Sequence, residues 1–245
     1  MAPPPPAYPV APLPAAPDAS EPTIDEGVLN DANATTNFFM PTALTPPAGT
    51  FGFHDYELFI IGASYAPTDN LLISGSTLVP LFADQPFVGL FSVKAQVVRA
   101  GQLRAALHGS AFVATGNSDA FSAASLGGVA TLCLNLECSS HLSGYAAAGF
   151  ARDSSSAVPV AFAGGAVLRM SRSVKFVAEA DSALILGEIN DVANGFLFWY
   201  GLRFTSANIS GDVGFVKPVS FDDDYDTEVF PIGFPIVSFT YRSDP

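Results

Sequence analysis

The sequence predicts an all-β protein: a single transmembrane antiparallel up-and-down β-barrel of about 12 strands behind a proline-rich tail. Three observations carry this. Of the 245 residues, 49% are hydrophobic and only 13% charged, about half the charge of an ordinary soluble domain, and the mean hydropathy is +0.35. No stretch supplies the roughly 18–20 consecutive apolar residues of a membrane helix; residues 32–54 are uncharged but hold three prolines and several Asn and Thr, and 120–136 mix apolar with small polar residues. A bilayer otherwise admits only a closed barrel, whose strands look half hydrophobic because polar side chains turn into the lumen. The second observation is period-two alternation, and the third is an alternation of shorter and longer connections.

In chain order, residues 1–22 hold nine of the twenty prolines, a composition that favours extended polyproline structure without a core of its own. Residues 23–36 (TIDEGVLNDANATT) are polar and acidic and read as a linker. Residues 1–36 are therefore expected to be a disordered periplasmic tail and linker, and 37–245 the barrel. The N-terminus has no basic segment followed by an apolar one, so an export leader is expected to have been removed. The tail is a candidate contact for the cell wall or for periplasmic proteins.

From residue 37, breaker residues recur every 10 to 20 positions, and twelve strands are expected over 37–44, 50–66, 71–82, 87–99, 103–116, 121–134, 140–152, 157–170, 174–187, 195–205, 208–217 and 232–242. Most are long enough for a tilted membrane strand of about 9–11 residues. In FVGLFSVKAQVVR, Phe91, Val93, Ala95 and Val97 share one face, with Ser92, Lys94 and Gln96 on the other. In LRAALHGSAFV, Leu103, Leu107, Ala111 and Val113 oppose Arg104, His108 and Ser110. In VKFVAEADSALIL, Phe176, Ala178 and Ala180 oppose Lys175, Glu179 and Asp181, and in GFLFWYGLRF the aromatic face opposes Arg203. Period two is the strand signature; it is weaker in 140–152 and 157–170, which are rich in Ala and Gly.

One set of connections is short: 67–70, 100–102, 135–139, 171–173 and 206–207. The other set is 45–49, 83–86, 117–120, 153–156, 188–194 and 218–231, of which the last two are clearly longer. Outer-membrane barrels have short periplasmic turns and longer outside loops, which puts both termini in the periplasm.

The hairpin SYAPTDNLLISGS (64–76) resembles the Y-G-x-T-D-N-L-x-I hairpin of bacterial outer-membrane β-barrel proteins. The opening FFMPTALTPPAGTFGFHDYELFIIGASY, the middle VLRMSRSVKFVAEAD and the closing GDVGFVKPV and FPIGFPIVSFTY are similar to a family of uncharacterised, porin-like barrels of Gram-negative bacteria. The resemblance covers most of 37–242 and implies a barrel in the outer membrane, with outer-membrane lipid, lipopolysaccharide and the barrel assembly machinery as partners, but no reaction. Such barrels end on an aromatic residue; here RSDP follows Tyr241, a departure from that pattern.

Chemistry-bearing residues are few. His54, His108 and His141 lack a metal-ligand spacing such as HExxH. His108 and Ser110 fall on one strand face, where a Ser–His pair can supply nucleophile and base, but no third partner or G-x-S-x-G is present, and the barrel is expected not to be an enzyme and to need no cofactor. Cys133 and Cys138 flank the turn NLECS, and an oxidising periplasm favours a disulfide between them. The loop FDDDYDTE offers Asp222, Asp223, Asp224 and Asp226 as oxygen ligands for a divalent cation, against the plainer reading of a solvated acidic loop. The net charge of −13 argues against nucleic acid as a partner.

The expected lumen carries Asp55, Glu57, Lys94, Arg104, Lys175, Glu179, Asp181, Arg203 and Asp212, with apolar Phe59, Ile61 and Phe112. Such charges either line a water path or pair and plug the interior. The first reading expects a narrow pore for small solutes or ions, leaning weakly toward cations because the protein is acidic. The alternatives are a plugged structural or anchoring barrel, and a soluble β-sandwich binding domain, which the long uncharged strands disfavour.

Overall fold

The computed structural model describes residues 26–57, 59–79, 87–115, 120–151, 158–186, 195–220 and 231–243. Twelve antiparallel strands form one closed barrel: β1 (Phe51–Tyr56), β2 (Ile60–Thr68), β3 (Leu71–Leu78), β4 (Phe87–Ala100), β5 (Leu103–Thr115), β6 (Ala120–Cys133), β7 (His141–Ala151), β8 (Val158–Arg169), β9 (Val174–Leu186), β10 (Gly195–Thr205), β11 (Ile209–Ser220) and β12 (Phe234–Arg242). Each strand pairs with its neighbours in sequence, and β1 closes on β12 through a register that runs from Gly52↔Arg242 to Tyr56↔Ser238. Among the described residues no helix is long and apolar enough to cross a membrane.

Alternation sets the two faces. Phe53, Leu107, Phe150, Val213 and Phe239 are exposed on the outside, whereas Lys94, Arg104, Lys175, Glu179, Arg203 and Asp212 are buried inside. A closed barrel leaves no sheet edge, so strands with few charges gain a full ladder of backbone hydrogen bonds and keep an apolar exterior.

The strand count agrees with the sequence, but the first two strands arise differently. The segment 50–66 does not run as one strand. It folds back at 57–59, where Glu57 takes a left-handed conformation (φ 58°) and its carboxylate accepts a hydrogen bond from the Val237 N–H (2.6 Å). It thus supplies both β1 and β2. The strand expected over 37–44 does not form. One strand gained and one lost leave the total at twelve.

Residues 26–50 instead fill part of the barrel. They begin as a four-residue helix, α1 (Glu26–Leu29), and continue through turns to a narrow hairpin held by the Thr36↔Pro41 bridge. Val28, Ala34, Phe38, Met40, Ala43 and Leu44 are all buried. Residues 26–36, expected in the tail, are thus part of the packed interior. The segment cannot join a ladder because lumenal side chains take its backbone groups, as described below.

Two small contacts fix its entry. Arg242, in the run past Tyr241, donates to the carbonyls of Leu29 (2.6 Å) and Asp31 (3.1 Å), and also to that of Val28. Arg242, the first residue beyond the aromatic end, therefore clasps the plug. Gly27 packs on the turn between β6 and β7, where its N–H donates to the Glu137 carbonyl (2.6 Å) and an added Cβ would come within 2.6 Å of Cys138 and Ser139 backbone atoms. Cys133 and Cys138 are joined in a disulfide across that turn and are buried against Val28, Ala34 and Leu44.

Gly27→Ala should therefore loosen the plug by about 1–3 kcal/mol, the usual cost of forcing atoms into a packed site. Limited proteolysis should release the N-terminal segment faster than in wild type, while the barrel keeps its heat-modifiable gel migration.

Candidate functional site

The lumen has two parts, a clamp that holds the plug and a cup above it. The clamp begins with register. Lys175, Arg203 and Asp212 face one another across β9, β10 and β11. Arg203, wholly buried, donates to Asp212 through Nε (2.7 Å) and Nη2 (3.0 Å). Its remaining N–H groups donate to the plug carbonyls of Asn33 (2.8 Å), Thr36 (3.0 Å) and Asn37. The plug answers with Asp31, which accepts from Lys175 Nζ (2.6 Å) and the Thr205 hydroxyl (3.0 Å) and lies 3.7 Å from Arg203. A planar guanidinium with five donors is suited to bridging a carboxylate and several carbonyls at once.

Glu179 is the opposite case. Its carboxylate accepts from three successive plug N–H groups, Phe38 (2.8 Å), Phe39 (3.1 Å) and Met40 (3.0 Å). Lys94 donates to the plug carbonyls of Thr35 (3.0 Å) and Thr42 (2.8 Å), and the Thr131 hydroxyl accepts from the Ala43 N–H (2.8 Å). Hydrogen bonds to charged groups are each worth about 1.5–3 kcal/mol net. Together they replace the ladder that an ordinary strand would use. Gly165 leaves the space that the Asn37 side chain fills.

Burial alone would raise the Asp31 carboxyl, but the charges of Lys175 and Arg203 outweigh it and hold the group well below its ordinary value of 3.8.

Above the plug lies a cup of about 940 Å³ with Phe39, Met40 and Pro41 as its floor. Its walls are largely apolar, with Leu72, Leu78, Leu90 and Phe112. Its hydroxyl groups are concentrated on one side, opposite Asp181. Ser64, Ser74, Ser92, Ser110 and Ser125 are register partners in a continuous row across β2 to β6. Ser74 and Ser92 hydrogen-bond at 2.6 Å, and Ser110 and Ser125 at 2.7 Å. His54 Nε2 meets the Ser64 hydroxyl at 2.9 Å.

Of the nine residues expected to line the lumen, Lys94, Lys175, Glu179, Arg203 and Asp212 bind the plug or its partners, and Asp181 lines the cup. Arg104 is buried near the β4–β5 turn and donates to the Gly101 (2.5 Å) and Leu103 (3.0 Å) carbonyls. Asp55 and Glu57 are corrected. His54 and Tyr56 line the cup, so Asp55 faces outward, paired across the strands with exposed Ile61 and Phe239. Glu57 caps β12 at the rim. The expectation assumed that every strand charge turns inward, whereas the alternation of β1 puts Asp55 on the outer face. Its register partner Ile61 falls there too, and Phe59 is exposed. His108 contacts Tyr145 (3.2 Å), not Ser110. Asp222, Asp223, Asp224 and Asp226 lie outside the described residues.

Sequence reasoning missed the plug, with Asp31 and Asn33 as its anchors, and the serine row. Only register could align serines that are spread over 61 positions of the sequence.

No protein-family model matches the chain, and no curated protein sequence is similar to it. Solved structures do match. One is described as the outer-membrane expressed OmpT of Vibrio cholerae, at 9% identity and a TM-score of 0.42, covering 75% of this chain and 64% of that one. The chain thus spans 64% of the length of that barrel. A second comes from work on the in meso crystallization of membrane proteins, at 9% identity, a TM-score of 0.45 and coverage of 80% and 83%. A third is LpxR from Salmonella typhimurium, at 8% identity, a TM-score of 0.40 and coverage of 79% and 99%.

One expectation is corrected: the barrel was expected not to be an enzyme because its sequence lacks a catalytic motif, and that lack does not exclude one. Motif spacing is also a poor test here, since a barrel joins side chains from different strands, as with His54 and Ser64. At this identity the likeness assigns no reaction.

Two measurements probe the clamp. Arg203→Met should cost about 3–5 kcal/mol, because it leaves Asp31 and Asp212 short of a buried partner, and should show as a lowered unfolding temperature. Acid should release the plug. A carboxyl held below its ordinary value contributes stability that is complete above 3.8 and is lost as pH falls through the folded value. Protease accessibility of residues 26–50 should therefore rise only in strong acid, and Asp31→Asn should show that accessibility already at neutral pH.

Proposed function

We propose that this protein is an outer-membrane β-barrel that its own N-terminal segment holds closed, so that it is silent as a pore at rest and passes small solutes only when that segment is displaced. The clamp around Arg203 carries the reading: the lumenal charges that would otherwise face a water path are spent on plug backbone and on Asp31. The apolar exterior suits lipid contact, with Leu126 and Phe150 each 69% exposed. The short turns 69–70, 101–102 and 206–208 share one end with both barrel termini, the periplasmic end by the usual rule. The proline-rich segment would then extend into the periplasm, within reach of the cell wall or of periplasmic proteins, and lipopolysaccharide would surround the other rim.

The reading also changes the ion preference expected from net charge. With residues 26–50 removed, the lumen keeps Lys94, Arg104, Lys175, Arg203 and Arg242 against Glu179, Asp181 and Asp212. Among these described residues, five bases then face three acids.

Planar bilayers test this. Wild-type protein should give no steady channel events, whereas Glu179→Gln combined with Arg203→Met, or deletion of residues 26–50, should give events that favour anions. Steady conductance of the wild type would overturn the reading, and cation preference of the opened barrel would show that charges elsewhere set selectivity.

A further inference from the structure

Beyond closure, we infer that the cup is a binding site for a single-chain amphipath with a carboxylate head, entering from the loop end with its chain against the apolar wall. The cup's volume of about 940 Å³ is of the size that small-molecule sites have, about 300–1,000 Å³. Leu78, Leu90 and Phe112 offer the surface an alkyl chain needs.

The head is assigned from the donors. In the pair Ser74–Ser92 one hydroxyl proton is used within the pair and the other is left to donate, whereas in the pair Ser110–Ser125 the Ser125 hydroxyl also meets Tyr145. One step deeper on the same wall, Lys94 and His108 are register partners. Both hydrogen bonds described for Lys94 go to carbonyls, which leave its charge unneutralised beneath the serines, while His108 meets the Tyr145 hydroxyl. An oxygen-rich anion fits this wall, because charge-assisted hydrogen bonds are the strong ones. Asp181 lines the other side of the cup and repels an anion there, which orients the head toward the serines.

The plug floors this cup, so the site shares that part of the closed-barrel reading. The two fail separately: saturable binding to a conducting barrel overturns only closure, and a silent barrel without binding overturns only the site.

The chain's single tryptophan reports on the cup, since the Trp199 ring lies tilted against Phe39 of the floor, with centroids 4.7 Å apart. Full-length protein in phosphatidylcholine nanodiscs is titrated with dodecanoate, dodecanol and dodecylammonium, following Trp199 fluorescence. Dodecanoate should saturate and bind at least about tenfold more tightly than dodecylammonium, a difference of one charge-assisted contact. Ser92→Leu should weaken dodecanoate by about tenfold or more while leaving heat-modifiable migration intact. Ser92→Ala with Ser110→Ala removes the hydroxyls without adding bulk, and should also weaken dodecanoate more than dodecanol. Equal affinity for all three probes, which is the mark of binding to the outer belt, would overturn the inference. So would a preference for the ammonium, no saturable signal, or dodecanoate binding indifferent to both serine variants.

Discussion

A charge inside a membrane barrel must be hydrated or answered, and most of this architecture follows from how that demand is met. Leaving a buried ion unpaired costs several kcal/mol. Here the answer is a length of the chain's own backbone. Peptide groups supply both donors and acceptors, so one segment can satisfy a carboxylate and cations together: Glu179 takes three N–H groups while Arg203, Lys94 and Arg242 take carbonyls. Where a full charge is needed the segment adds Asp31 against Lys175.

The same constraint explains why residues 26–50 have so little regular structure. Wall side chains claim the N–H groups of Phe38, Phe39, Met40 and Ala43 and the carbonyls of Asn33, Thr35, Thr36, Asn37 and Thr42, and most other backbone groups close turns within the segment, so it forms only a four-residue helix and a narrow hairpin. It also explains the small residues around it. Gly27 lets backbone approach backbone at the disulfide-closed turn, and Gly165 admits Asn37. The plug leans on β9, β10 and β1 through Glu179, Trp199 and Tyr56, and the space it leaves against β2 to β5 becomes the cup. Closure and cavity are two results of one packing choice.

The cup and the clamp also differ in how they use polarity. The clamp is fully paired and buried, which makes it rigid and specific but chemically spent. The serines above it are neutral, partly satisfied among themselves and open to a cavity, which is the condition for recognising something else. The acidity of the whole chain says little about either, because field at a site is set by the nearest charges.

The sequence by itself determined the fold class. Low charge without a helix-length apolar run, together with period two in segments such as FVGLFSVKAQVVR, favours a barrel over a soluble sandwich, and alternation turned Lys94, Arg104, Lys175, Glu179, Arg203 and Asp212 inward. Those are local properties, written residue by residue in the side-chain pattern. Tertiary structure decided the rest. Nothing local tells that NFFMPTAL will have its N–H groups taken by Glu179, some 140 residues away, and so be a plug in place of a strand. Nor does it show that 50–66 must turn at Glu57, which puts Asp55 outside, or that five scattered serines share one row. Register and long-range pairing are properties of the closed barrel, and a charge pattern does not carry them until the strands have met.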